Sequence, residues 1–420
     1  MSIQNQQTKL TIGLFGFGVV GESLYNVLQE TPTLNASIKK VCIKHQEKKR
    51  NAPASLFTTD RATLLGDSDI NVIVELIDDA DAAYAIVTSA LRGKKAVVSA
   101  NKKMIAEHLE ELISLQNQFD TSFLYESACC ASIPVIRNLE EYYDNDLLQG
   151  ISGIVNGSTN YILTKISEEH KSYSDALSQA QKEGFAESNP ALDVEGIDAV
   201  NKLTILLTHA YGIITSPDSL VYTGIQNLHA SDVVYAKEKG YEIKLLAQAK
   251  KLPDGRIVAF VLPQFVDKGS QFFNVKNEYN GVAIESRLAD KQFFYGKGAG
   301  GYPTASAVLS DLSALRYDYR YEYKKLHQQS PGLTNDQLLR VYVGFEGPFK
   351  VPKDKFEQIE EWNNTGKHSY VVGIIKCSQL LDTTWWKQKN VSLILLPDAF
   401  VDVILLDAVE ELELQLLNEA

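Results

Sequence analysis

Long apolar runs, paired cysteines and positive charge are what this 420-residue chain has little of. No stretch of about 20 apolar residues occurs, so no transmembrane helix and no membrane partner are expected. The start, Met1-Ser2-Ile3-Gln4-Asn5-Gln6-Gln7, lacks a basic region followed by an apolar core and does not read as a secretory leader. The four cysteines, Cys42, Cys129, Cys130 and Cys377, form no C-x-x-C pair and no metal-ligand spacing, which points to a reducing, cytoplasmic setting. A formal net charge of −12 argues against nucleic-acid binding, which needs a basic surface. An anionic ligand would therefore need a local cluster of cations.

What is present begins with a glycine-rich turn, Gly16-Phe17-Gly18-Val19-Val20-Gly21. The apolar run Leu10 to Phe15 precedes it and reads as a strand, and Val20, Leu24, Val27 and Leu28 recur at helical spacing. Strand, G-x-G-x-x-G and helix in that order form the signature of a dinucleotide site. The first glycine permits the tight turn. The second lets the backbone approach a pyrophosphate, and the third lets helix and strand pack closely. The pyrophosphate would then lie on free N–H groups at the positive end of a helix.

Apolar runs at Val41–Ile43, Val72–Ile77, Ala96–Ser99 and Phe123–Tyr125 alternate with helical stretches, including one from Ala80 to Arg92 ended by Gly93. That alternation implies an α/β fold with a doubly wound, Rossmann-type parallel sheet over residues 1–135, completed by a return helix at about 300–322. Beyond the second strand stands Lys44-His45-Gln46-Glu47-Lys48-Lys49-Arg50, five basic residues around one acid. NAD sites favour an acidic residue there, so this end favours the 2′-phosphate of NADP, with NAD still open.

Residues 136–300 read as a mixed α/β substrate and dimerisation domain, with strands near 151–155, 244–250 and 256–262. Residues 333–420 read as a small, separate α/β module with strands at Leu339–Phe345, Tyr370–Ile375 and Val391–Leu396. Helices are expected at Lys353–Trp362 and near Ser378–Trp386.

The densest chemistry lies in the run from Phe185 to Leu207. Asp198 and Lys202 are four apart and share one helix face. The helix is strongly apolar, so it should be buried. A buried lysine titrates downward unless paired, which suits it to acid–base work near neutral pH. An ordinary surface ion pair fits the same spacing. Glu187 and Asp193 stand just upstream, where they could hold an ammonium group or form a solvated acidic loop. A second lysine, Lys102, follows the Ala96–Ser99 strand at its carboxyl end, the edge where open α/β sheets bind ligands.

In this order the motifs resemble the homoserine dehydrogenase family, over roughly residues 8–322. They are Gly16 to Gly21, Val74-Glu75-Leu76-Ile77, Ser99-Ala100-Asn101-Lys102, Tyr125-Glu126-Ser127-Ala128, Gly153 to Leu163, Asp193 to Ala199 with Lys202, and Gly298 to Ser306. The resemblance implies reversible NAD(P)H-dependent reduction of L-aspartate 4-semialdehyde to L-homoserine by a homodimer or higher homo-oligomer. It implies that Lys202 is the acid–base, that Asp198 orients it, and that Lys102 touches substrate and nicotinamide. It assigns Glu187 and Asp193 to substrate, and Gly300 to the cofactor beside the Gly16–Gly21 turn and Lys44. Glu126, Cys129, Ala131 and Ile133 match a loop that wraps a monovalent cation, sodium or potassium, mostly through backbone carbonyls. This chain has Ala131-Ser132 where the family has two glycines, so a positive φ there would strain both. The last module resembles a degenerate ACT domain, with Glu346-Gly347-Pro348 in place of its ligand turn. Two other readings remain: a nucleotide-sensing regulator without catalysis, and a semialdehyde dehydrogenase working through Cys129 or Cys130.

Overall fold

The computed structural model describes residues 9–145, 147–328, 331–365 and 368–402. The chain start at Met1–Gln7 and the end of the 333–420 module lie outside them. The chain divides into two compact units. The first is Met1–Leu148, Asn201–Ser219 and Glu278–Ser330; the second is Gln149–Val200, Leu220–Asn277 and Pro331–Ala420.

The first unit is built on strands β1 (Leu10–Phe15), β2 (Ala36–Cys42), β3 (Phe57–Thr58), β4 (Val72–Glu75), β5 (Ala96–Ser99) and β6 (Phe123–Leu124). They form one parallel sheet in the order β3-β2-β1-β4-β5-β6. The two central runs, Val72-Ile73-Val74-Glu75 and Val97-Val98-Ser99, are buried, as expected of strands covered on both faces. The helices of this unit are α1 (Val19–Glu30), α2 (Ala62–Leu65), α3 (Ala80–Arg92), α4 (Lys102–Phe119), α5 (Val135–Glu141) and the return helix α11 (Gly301–Leu315). Asp79 caps α3 by accepting the Ala82 N–H, and Gly93 follows the helix end, where the sequence places it. The doubly wound domain is thus as expected. The strand order reverses between β1 and β4, which leaves a crevice at their carboxyl ends. A hairpin, β11 (Tyr279–Ser286) with β12 (Asp290–Lys297), also belongs to this unit.

The second unit has strands β7 (Leu148–Ile154), β8 (Val221–Tyr222), β9 (Glu242–Lys251), β10 (Ile257–Val266), β13 (Leu338–Phe345), β14 (Phe356–Asn364), β15 (Ser369–Lys376) and β16 (Val391–Val401). Seven run in the order β7-β9-β10-β16-β13-β15-β14, and β8 pairs with β10. Its helices are α6 (Gly157–Glu169), α7 (Tyr173–Lys182), α8 (Ala191–Val194) and α10 (Ala230–Lys239). One more helix, α9 (Ile197–Tyr211), begins in this unit and ends in the first.

Residues 333–402 depart from the expected ACT-like module. They contain strands and short 3₁₀ turns, and no α-helix among the described residues. Nor do they form a separate body: Phe260 and Leu262 of β10 share one apolar core with Val341, Val343, Ile375 and Leu393. The Lys353–Trp362 segment expected to be helical is mostly strand β14. Phe356, Ile359 and Trp362 recur every third residue, which imitates a helical period. The strand achieves that spacing with register shifts at Phe356/Gln358 and Ile359/Glu361, each inserting one extra residue. Phe356 and Ile359 thereby both reach the cluster of Phe345, Val351 and Val371. The Ser378–Trp386 helix is reduced to a 3₁₀ turn at Cys377–Leu381.

Candidate active site

The nucleotide end of the site is assembled from glycine geometry. Gly16 has φ +92, and a Cβ there would stand 2.5 Å from the Leu76 carbonyl oxygen. The turn can therefore close only without a side chain. A Cβ on Gly21 would meet the Gly16 carbonyl oxygen at 2.5 Å, so the third glycine serves packing and does not line the crevice. Gly18, by contrast, faces open space and is the N-cap of α1 with no side chain bonded across it. Those features fit a pyrophosphate laid on the start of α1. The crevice holds about 1490 Å³ and is bounded by Gly16, Phe17, Gly18, Val19 and Val20, with Leu76 to Asp79 opposite.

Its outer wall carries the cations expected from the sequence, Lys44, His45, Lys48, Lys49 and Arg50. Arg50 is spent on the loop itself: its guanidinium donates to the Lys48 and His45 carbonyls and lies 5.4 Å from the Phe57 ring centroid. Sequence reading overlooked Arg61, which also lines this wall. Strand β3 pairs with β2 through Val41↔Phe57 and Cys42↔Thr58, which brings the residues after Thr58 beside those after Cys42. A two-residue strand carries too little pattern to be seen in the sequence.

Lys102 is placed by a buried relay. The Glu75 carboxyl, 0% exposed, accepts the Ser99 hydroxyl at 2.5 Å and the Ile77 N–H at 2.7 Å. Burial pushes that carboxyl up to about 7. Ser99 Oγ in turn accepts the Asn101 N–H, and Asn101 caps α4 by accepting the Met104 N–H while donating to the Ile77 carbonyl. Lys102 is the first residue of that helix, half-buried at the carboxyl edge of β5. Gly300, with φ +115, is the N-cap of α11, whose next residue Gly301 packs on Val19 and Ser23 of α1.

The carboxylates collect around Asn156. Its side-chain nitrogen donates to Asp193 Oδ1 at 2.7 Å and to Asp198 Oδ2 at 2.8 Å. Its oxygen caps α6 by accepting the Thr159 N–H at 2.8 Å. Gly196, at φ +84 with a Cβ position 2.8 Å from the Thr223 carbonyl oxygen, makes the bend that starts α9 directly before Asp198. Asp198 and Lys202 are 3% and 6% exposed, so the exposed surface pair that shares their spacing is excluded. Glu187 is exposed in the loop after α7 and is not brought into the Asn156 clamp, while Asp193 is half-buried in it. Asn156 belongs to the Gly153–Leu163 motif, in which the sequence assigns it no role. The helix begins at Gly157, directly after it, which makes Asn156 the N-cap.

The cation loop follows the expected strain in part. Positive φ falls on Cys130 (φ 58) and Ala131 (φ 40), one residue earlier than Ala131-Ser132. Glu126 does not turn its carboxylate to this loop. It accepts the N–H groups of Ile136 and Arg137 at the start of α5, and its own N–H donates to Asp311. Burial raises its carboxyl to about 8. No cluster of three or more His, Cys, Asp or Glu suited to a metal occurs among the described residues. None of the four cysteines forms a disulfide, and Cys129 and Cys130 are 0% and 1% exposed, which leaves neither placed as a substrate nucleophile. No helix among the described residues is long and apolar enough to cross a membrane.

Comparison with known proteins agrees with this geometry. Residues 16–126 match the family model for the homoserine dehydrogenase NAD-binding domain, and residues 134–313 match the homoserine dehydrogenase model. The chain is 34% identical to the homoserine dehydrogenase of Helicobacter pylori, covering 84% of this chain and 80% of that one. It is 32% identical to that of Bacillus subtilis, over 80% and 81%. The crystal structure of a homoserine dehydrogenase from Thiobacillus denitrificans superposes with a TM-score of 0.80 at 26% identity, covering 92% of this chain and 98% of that one. A hyperthermophilic archaeal homoserine dehydrogenase in complex with NADPH matches with a TM-score of 0.63 at 25% identity, covering 75% and 99%. These matches establish that the chain belongs to the homoserine dehydrogenase family of oxidoreductases.

Proposed function

We propose that the protein interconverts L-homoserine and L-aspartate 4-semialdehyde with NADP as the preferred nucleotide. The observation that carries this reading is the Asn156 clamp on Asp193 and Asp198, one helical turn from the buried Lys202. Lys202 Nζ takes the hydroxyl proton as the carbinol carbon gives up its hydride, and returns a proton in the reverse direction. The nicotinamide nucleotide, when bound, supplies the hydride acceptor or donor. Asp198 keeps Lys202 oriented and cationic after it has taken the proton. Glu187 and Asp193 hold the substrate ammonium, and Lys102 steadies the substrate beside the nicotinamide.

The preference for NADP is supported by Lys44, Lys48, Lys49 and Arg61, which line the crevice after strands β2 and β3, the side that meets the ribose in dinucleotide folds. A monovalent cation would be held mostly by the backbone carbonyls of Glu126, Cys129, Ala131 and Ile133, the Glu126 carboxylate being committed to α5. A cytoplasmic homodimer or higher homo-oligomer completes the reading: the family supports the oligomer, and cysteines that form no disulfide support the reducing compartment. The deciding experiment follows oxidation of L-homoserine with NADP against NAD. Bound nucleotide without turnover would instead favour a regulator on the same fold.

A further inference from the structure

The second unit encloses a cavity of about 520 Å³ between the C-terminal half of α6, the α6–α7 connection, α10 and the start of β9. None of the residues assigned above to nucleotide or substrate lines it. Its volume lies within the roughly 300–1,000 Å³ of small-molecule sites. The floor is aliphatic, formed by Leu163, Ile166, Val233 and Ile243.

The polar groups at its edge are unequal in sign. Lys237 Nζ lies 2.6 Å from the His170 ring nitrogen and has no carboxylate partner among the described residues. Lys171 pairs with Glu169 at 2.7 Å. The one acid in the lining, Glu242, is bound by Lys276 at 2.9 Å. His229, the N-cap residue of α10, also lines the cavity with a side chain only 9% exposed, and its Nε2 is buried with no hydrogen-bond partner among the described residues. A buried polar atom left unpaired costs about 1–3 kcal/mol, so a native site keeps one only for a reason.

We propose that this cavity is a binding site for a small monocarboxylate with an aliphatic or aromatic body. The carboxylate is held by the Lys237 ammonium and the His229 Nε2–H, and the body lies on the aliphatic floor. A free amino acid fits less well, because the acid that would receive its ammonium is already bound by Lys276.

The test is isothermal titration of the full chain with benzoate and hexanoate, against benzyl alcohol and 1-hexanol, with L-homoserine saturating throughout. The proposal predicts saturable binding of both acids, at least about tenfold tighter than of the matching alcohols, the equivalent of about 1.4 kcal/mol for one charged contact. Lys237→Gln should remove that preference, and Val233→Phe should abolish binding of acid and alcohol alike while homoserine turnover persists. Acids binding no better than alcohols, loss of acid binding when homoserine saturates, or full acid binding by the Lys237→Gln variant would each overturn it.

Discussion

Asn156 Nδ2 stands 2.8 Å from Asp198 Oδ2, and its second hydrogen goes to Asp193 at 2.7 Å. One amide thus ties the acid expected to orient Lys202 to an acid expected to bind substrate. The same residue's Oδ1 caps α6. The two roles use different atoms, so they can be separated. Asn156→Ser keeps a capping oxygen but loses the amide donor. It should keep the melting temperature near wild type and lower kcat about 10–100-fold, the equivalent of one or two lost hydrogen bonds to charged groups. Asn156→Asp should do the same and displace the pH profile of kcat, since a third carboxylate favours the protonated lysine.

Nucleotide choice is predicted to reside in the free cations of the outer wall. Lys44→Ala with Arg61→Ala should lower kcat/KM for NADP about 10²–10⁴-fold and leave that for NAD nearly unchanged, because each of the two charged contacts to the 2′-phosphate is worth about 1.5–3 kcal/mol. Arg50→Ala should instead impair both nucleotides, since Arg50 holds the loop through the His45 and Lys48 carbonyls. Steady-state kinetics with both nucleotides checks the contrast.

Glu75 makes stability depend on pH. Its carboxyl titrates near 7 when folded, above the ordinary value of 4.5, because burial disfavours its charge. Between those values the folded chain binds more protons than the unfolded chain. Its contribution is complete below about 4.5 and is lost as pH rises through about 7. Denaturant unfolding at pH 5.5 and 7.5 should show Glu75→Gln flattening the loss seen in the unmodified chain. An unchanged slope would mean that the carboxyl is ionised when folded.

The thiol route makes an opposite forecast to the lysine route. Cys129→Ser with Cys130→Ser should retain homoserine turnover, because both thiols are buried. Abolished turnover in a folded double variant would return the cysteines to the mechanism.

The first unit was legible in the sequence because its buried strands and glycine turn are local patterns. Gly16 and Gly21 each announce one close approach, and both are present, while Gly18 is left facing open space. The C-terminal strands were less legible, since the bulges of β14 turn a period of two into a period of three at Phe356, Ile359 and Trp362. Lys202 and Asp198 could be paired by helical spacing, and the burial expected of their apolar helix is present. Asn156 was legible only in part: its cap was local, but its two carboxylate partners lie 37 and 42 residues away. Arg61 was hidden by the brevity of β3.

Lys202 is proposed to perform the proton transfer, while the crevice at the carboxyl ends of β1 and β4 holds the nucleotide independently of it. The direct measurement compares Lys202→Ala with the unmodified chain, by NADPH fluorescence titration and by homoserine oxidation on one preparation. NADPH affinity should be unchanged and turnover reduced by about 10²–10⁴-fold, the range of a positioned acid–base. Turnover near wild type in that variant, with the nucleotide bound, would contradict that role of Lys202.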